Sequence, residues 1–115
     1  MRDGHAIWVT IGNEADIPLQ GARIVRSPAG DVAVFRTAPG CVFATENRCP
    51  HKGGPLSEGI VHGESVTCPL HGWVINLRTG LAEGADSGCV PTVPVRVEDG
   101  KILLDVAKLG TREAA

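Results

Sequence analysis

Four residues in one stretch of the chain carry groups that bind metals: Cys49 and His51, then Cys68 and His71. Their spacing is C-x-H, sixteen residues, then C-x-x-H. Thiolate and imidazole donors this close together let one short loop offer two ligands to one site, with little closure entropy to lose. Pro50 and Pro69 follow the two cysteines and stiffen the backbone beside each thiolate. Gly53, Gly54 and Gly72 come after the two pairs. Without a Cβ they let backbone approach a bound group closely and aim N–H groups at its sulfurs. Two chemistries fit. Zinc accepts two cysteines and two histidines, but the familiar finger keeps its cysteines together and its histidines together. Here each loop gives one of each. That mixed order suits a cluster of two inequivalent irons, one held by both cysteines and the other by both histidines. Zinc stays open as the alternative.

These loops must be carried by a small frame. The chain has 115 residues, the length of one domain. Hydrophobic residues make up 43% and charged residues 21%, as in a folded globular protein and not a disordered one. With 15 glycines and 8 prolines, long helices are excluded from most of the sequence. The aromatic residues are only Trp8, Phe35, Phe43 and Trp73, so the core is thin and a bound metal would add needed stability. A formal net charge of −2 lacks the basic excess of a nucleic-acid binder. No apolar run approaches the roughly 20 residues of a membrane span. Residues 1–11 pass straight into a strand-like run without a signal-peptide core, which predicts a cytoplasmic protein. Cysteines in that compartment are expected to be ligands or thiols, not disulfides.

The apolar pattern has the period of strands. Ile7, Val9 and Ile11 alternate on one face, as in a half-buried strand. Residues 22–26 form a second run. Residues 31–37 set Val32, Val34 and Arg36 against Ala33 and Phe35, and Pro39-Gly40 turns that run into residues 41–45 as a hairpin. Residues 93–97 and 102–105 flank Asp99-Gly100, a favoured two-residue hairpin turn. Residues 13–19 allow one short helical turn before Pro18 limits it, and residues 107–115 are expected to fray. Seven to nine short strands with Gly/Pro punctuation predict an all-β antiparallel sandwich or barrel. Residues 46–89 are loop-rich, with strand pattern only at 64–67 and 73–77, and such a segment inside a compact domain is usually functional.

Residues 49–56 and 68–73 resemble the two cluster loops of Rieske [2Fe–2S] ferredoxins. Residues 55–61 and 73–80, with Gly88-Cys89 ahead of residues 94–100, are similar to one branch of that family: the small subunit of assimilatory NAD(P)H-dependent nitrite reductase. The resemblance implies a single Rieske domain over residues 1–115, an antiparallel sandwich or barrel whose cluster-binding loops cover about 47–77. It implies a [2Fe–2S] cofactor with Cys49 and Cys68 on one iron and His51 and His71 on the other. It further implies a large partner subunit with flavin and siroheme that reduces nitrite to ammonium in nitrate assimilation. In that case this chain is an electron-transfer subunit with no catalytic residue of its own. The alternative is a free Rieske ferredoxin that serves a ring-hydroxylating oxygenase and its flavin reductase. Neither reading involves nucleic acid or membrane. Respiratory Rieske proteins add a disulfide between the loops and Ser and Tyr hydroxyls near the cluster. This chain has no third cysteine in either loop, no Tyr, and Trp73 where that Ser would stand. Fewer hydrogen bonds to the cluster imply a potential near the low end of the Rieske range, about −150 mV.

The other reactive residues have plainer expectations. Cys41, at the start of a strand, is expected to be a small buried hydrophobe, and Cys89 a packed or surface thiol. His5 and His62 are expected at the surface. Lys52 is a solvated or docking charge, and Trp73 packs over the loops, shields the cluster or faces the partner. Glu83 and Asp86 lack a spacing for acid–base work, and no phosphate loop, nucleophile pair or nicotinamide fingerprint is present.

Overall fold

The structure, a computed structural model, describes residues 6–27, 30–48, 54–69, 72–83 and 88–108. Ten short strands run through them: β1 (Trp8–Asn13), β2 (Gly21–Val25), β3 (Val32–Arg36), β4 (Val42–Glu46), β5 (Ile60–His62), β6 (Ser65–Thr67), β7 (Val74–Asn76), β8 (Thr92–Val93), β9 (Val95–Glu98) and β10 (Lys101–Asp105). The helical pieces among the described residues are three single 3-10 turns, Glu14–Asp16, Leu56–Glu58 and Val106–Lys108. The all-β antiparallel architecture expected from the pattern is what forms. The strand count is higher than expected because β5 and β8, of three and two residues, are too short to show a period.

The strands form three antiparallel sheets, ordered β1-β10-β9, β2-β3-β4-β8 and β5-β6-β7. The second sheet is the centre. Successive side chains of a strand point to opposite faces, and β3 is buried on both. Ala33 and Phe35 enter one core with Leu56, Val61, Val66, Cys68, Ile75, Leu77 and Val90. Val32 and Val34 enter a second core with Ile17, Ala44, Val93, Ile102 and Leu104. The register agrees: Ala22, Phe35 and Phe43 are cross-strand neighbours on the first face, and Val34, Ala44 and Val93 on the second. β3 thus joins the ligand-loop side of the molecule to the β1-β10-β9 side.

The turns follow their residues. Asp99 and Gly100 both have positive φ, 52° and 76°, as a type I′ turn between β9 and β10 requires. Gly40, at φ +100°, lies within the β3–β4 turn. There the Thr37 N–H donates to the Cys41 carbonyl at 2.8 Å, and the Cys41 N–H donates to Thr37 Oγ1 at 3.1 Å.

Three expectations need correction. The β1 alternation fails toward its start: Ile7 and Val9 are 55% and 42% exposed, and only Ile11 packs against the second core. β1 is an edge strand, and its register against β10 shifts between Thr10 and Gly12. Such a bulge re-aims the side chains before it. Cys41 is exposed because the hairpin turn extends through it, ahead of β4. The tail is ordered further than expected. The Val106 N–H donates to the Ile7 carbonyl at 2.9 Å, and the buried Asp105 carboxylate accepts from Ile7 N and Ala107 N, both at 3.0 Å. Residues 109–115 lie outside the described residues.

Candidate metal centre

The second ligand loop is the tip of the β6–β7 hairpin. Thr67 pairs with Val74, and the Cys68 N–H then donates to the Trp73 carbonyl at 2.7 Å. Beyond that bond Pro69 and Gly72 are exposed, and Gly72 takes φ +71°. Cys68 stands where the ladder becomes loop, with 2% of its surface exposed in the wall of the first core. Trp73 packs partly buried against that core, which bears out the packing expectation for its ring.

The first ligand loop leaves the end of β4. The Asn47 N–H donates to the Asp31 carbonyl at 3.0 Å, and Asn47 Oδ1 accepts the Ser57 N–H at 2.8 Å. The returning chain carries the buried Gly54 and then Leu56, fully buried in the core that holds Cys68. Gly59 follows with an ordinary φ of −81°, so its lack of a Cβ matters for space. A Cβ there would press into the Thr67 carbonyl and lie 2.8 Å from Val66 Cγ2. The exit of the first loop therefore rests directly on β6, one residue before Cys68.

Of the four expected ligands, Cys68 is described; Cys49, His51 and His71 lie outside the described residues, as do Lys52, His5 and Asp86. Among the described residues no group of three or more His, Cys, Asp or Glu is placed to hold a metal. What the structure does fix is the base of both loops. The stems meet on one core, and Cys41, Cys68 and Cys89 form no disulfide with one another. A buried cysteine in an apolar wall, at the stem of one of two loops whose sequences carry Cys and His, fits an iron–sulfur cluster. Cys89 is exposed and bridges to Leu81, in line with a surface thiol. His62 is exposed, with Nε2 2.7 Å from Thr67 Oγ1. Glu83 is a brace: its Oε2 accepts from Ser65 Oγ at 2.6 Å and from Asn76 Nδ2 at 3.2 Å.

Among the described residues, Arg78 and Glu64 form a charged pair on this side of the molecule. Arg78 grips Glu64 through Nε at 3.0 Å and Nη2 at 2.6 Å. Hydrogen bonding from Arg78 holds the Glu64 carboxyl below the usual carboxylate range, against an opposing effect of desolvation and with some help from the Arg78 charge. The Arg78 guanidinium also sits 5.1 Å from the centre of the Phe43 ring, so the pair leans on the central sheet. The motif reading missed Asn47 and Gly59. Neither has a local signature, because each acts on a residue that only the fold brings near.

Fold and loops together define a class. Residues 7–94 match the Rieske [2Fe-2S] domain family, and the chain belongs to it. Its cofactor is a Rieske [2Fe–2S] cluster, and its role is electron transfer. Ferredoxin CarAc from Metapseudomonas resinovorans is 35% identical over 104 residues, which cover 85% of this chain and 92% of that protein. A 4beta-methylsterol monooxygenase from Methylococcus capsulatus is 38% identical over 66 residues; the match spans 57% of this chain and only 18% of the monooxygenase. Among solved structures, a protein described as the small subunit of an NADH-dependent nitrite reductase from Mycobacterium tuberculosis superposes with a TM-score of 0.78 at 27% identity. That likeness covers 87% of this chain and 95% of the other.

Proposed function

We propose that this chain is the electron-transfer small subunit of an assimilatory NAD(P)H nitrite reductase, with Cys49, His51, Cys68 and His71 as ligands to its cluster. The observation that carries the reading is where three sequence segments meet. Residues 55–61, 73–80 and 88–89, ahead of 94–100, resemble that branch, and the first two segments share one core through Leu56, Val61, Ile75 and Leu77. Residues 55–61 supply the 3-10 turn Leu56–Glu58 and the start of β5; residues 73–80 supply β7 and its following turn. Leu81 bridges to Cys89 beside them, and the Val90 N–H donates to the Gly80 carbonyl at 2.8 Å. The small-subunit structure that superposes at TM-score 0.78 over 87% of the chain supports the same reading.

The division of labour follows from the geometry. A bound [2Fe–2S] cluster supplies one-electron chemistry. The chain's own residues hold and shield it. Leu56 and Trp73 pack with Cys68 against Phe35 and Ile75, so water is kept from the cysteine side. Pro69 and Gly72 are exposed and leave their surface open to a partner. Under this reading a large flavin- and siroheme-bearing subunit holds the nitrite, and its pyridine-nucleotide donor places the complex in the cytoplasm. No described helix is long and apolar enough to cross a membrane.

A second reading, a ferredoxin that passes electrons to a ring-hydroxylating oxygenase, is favoured by the 35% identity to ferredoxin CarAc over nearly its whole length. One experiment separates the two. The chain is co-expressed with the large siroheme-bearing subunit of an NAD(P)H nitrite reductase, and the purified material is tested for NADH- or NADPH-driven loss of nitrite. Co-elution in equal amounts, with ammonium formed, is the expected result. A chain that elutes alone, is reduced by a flavin reductase and sustains oxygenase turnover would replace the first reading with the second.

A further inference from the structure

The two ligand loops are closed by different devices. The second is an ordinary hairpin, its last link the backbone bond from Cys68 N to Trp73 O. Among the described residues no ladder crosses the first. Its ends are joined there by a side-chain hydrogen bond: the Ser57 N–H donates to Asn47 Oδ1 at 2.8 Å, ten residues apart in sequence. Ser57 Oγ is buried and makes no hydrogen bond, so the serine side chain adds nothing to the closure. The acceptor is well anchored, because the Asn47 N–H donates to the Asp31 carbonyl at 3.0 Å, just past the β3–β4 ladder. The donor is anchored as well. Ser57 lies in the 3-10 turn Leu56–Glu58, with Leu56 fully buried beside Cys68 and Gly59 pressed on β6. One side-chain amide therefore connects the central sheet to the return of the first loop, and through Gly59 to the strand that ends at Cys68.

We propose that Asn47 is a positioning residue for the first ligand pair: through the Ser57 amide it sets where Cys49 and His51 stand relative to Cys68. The inference rests on the ligand assignment proposed above. Asn47 touches no metal under this proposal; its carbonyl oxygen orients the loop that does. Residues that orient ligands in this way typically change metal affinity by about 10- to 100-fold when lost.

The test uses the whole chain with its cluster reconstituted anaerobically. Asn47→Leu removes the acceptor at nearly constant volume. Asn47→Asp keeps an oxygen for the Ser57 N–H. Both leave the backbone bond to Asp31 in place. Three properties are read: iron and sulfide per chain, the paramagnetic signal of the reduced form, and the rate at which an iron chelator bleaches the cluster. Asn47→Leu should bleach about 10-fold faster or more, with a broadened or shifted signal, and Asn47→Asp should restore both. If the leucine variant does not fold, Asn47→Ala carries the same expectation. A variant lacking the acceptor that bleaches at the parent rate with an unchanged signal would overturn the proposal even if it melts earlier, and so would failure of Asn47→Asp to restore it. Cys49→Ser in the same assay guards the underlying assignment. Retention of a full cluster by Cys49→Ser removes that assignment. Its loss there, beside an unperturbed Asn47→Leu, removes the Asn47 role alone.

Discussion

The two faces of β3 are covered in different ways. On one, Val32 and Val34 meet Ile102 and Leu104 of β10, a five-residue strand paired along its length with β9 and β1. On the other, Ala33 and Phe35 meet three-residue strands and the stems of the two ligand loops. The core that holds Ile102 and Leu104 is closed by ladders of strands. The core on the ligand side is closed by Leu56 and Cys68, which belong to the loop stems, and by the close approach of Gly59 to Thr67 and of Gly80 to Val90. Regular sheet therefore stabilises one half by itself, while the half that carries the chemistry shares its packing with the cofactor site. Because a bound metal cluster contributes folding free energy directly, its loss should fall on one face of β3 and not on both.

Removing the cluster is the largest test of that asymmetry. Cys68→Ser should abolish cluster binding. It should also lower hydrogen-exchange protection in β5, β6 and β7 while the amides of β3, β9 and β10 keep theirs. Equal loss on both sides would mean that the two cores unfold as one unit.

Truncating the shared strand comes next. Phe35 is fully buried on the ligand side and Leu104 fully buried on the other. Phe35→Ala should cost about 3–5 kcal/mol and Leu104→Ala about 2–5 kcal/mol in denaturant unfolding. The comparison lies in the second readout. Phe35→Ala should also speed chelator-driven cluster loss, since its ring supports Leu56 and Cys68, whereas Leu104→Ala should leave that rate unchanged. Faster loss in both variants would erase the distinction.

The same division decided what could be read in the sequence. On the ladder side the signals are local. The alternation of Val32 to Arg36 and the Asp99-Gly100 turn are each set by neighbours in the chain, and both appear in the fold as expected. Where a long-range contact intervened, local reading failed. The shift between Thr10 and Gly12 turns Ile7 and Val9 to solvent, and the turn through Cys41 exposes a thiol expected to be buried. On the ligand side the candidate ligands stood out because thiol and imidazole are rare and closely spaced, and the family match bears out the cluster they suggested. The support was not: Asn47 is one polar residue among several until Ser57 is brought to it, and nothing local marks Gly59 as lying against β6.

Two glycines on the ligand side sharpen the comparison at smaller scale. Gly80 combines φ +80° with a Cβ position that would collide with the Val90 carbonyl. Gly63, at φ +57° in the two-residue β5–β6 turn, faces open space. Gly80→Ala should cost more than the roughly 1–3 kcal/mol of an unfavourable φ alone, and Gly63→Ala should stay within that range. Thermal melts of the two variants check the order, and equal costs would show that the Val90 carbonyl yields easily.

The smallest expected effect concerns Glu64 and Arg78, which join the β5–β6 turn to the turn after β7 on the exposed rim of the ligand side. Hydrogen bonds from Arg78 lower the Glu64 carboxyl in the folded state. A depressed folded value means that the pair's stabilisation is fully present above the unfolded carboxylate value, about 4.3, and is lost as pH falls through the folded one. Arg78, raised by the same contact, keeps its charge throughout. At pH 7 Glu64→Gln should therefore melt slightly below the parent. The gap should close as pH drops into the acid range and narrow in high salt, because the pair is exposed and screened. Arg78→Gln should melt lower still, since it also loses the contact 5.1 Å from the Phe43 ring, and that added deficit should persist after Glu64 is protonated. A Glu64→Gln gap independent of pH would mean that the carboxyl does not carry the interaction. An Arg78→Gln deficit that vanishes in acid would mean that the ring contact contributes nothing, leaving the rim of the ligand half unattached to the central sheet.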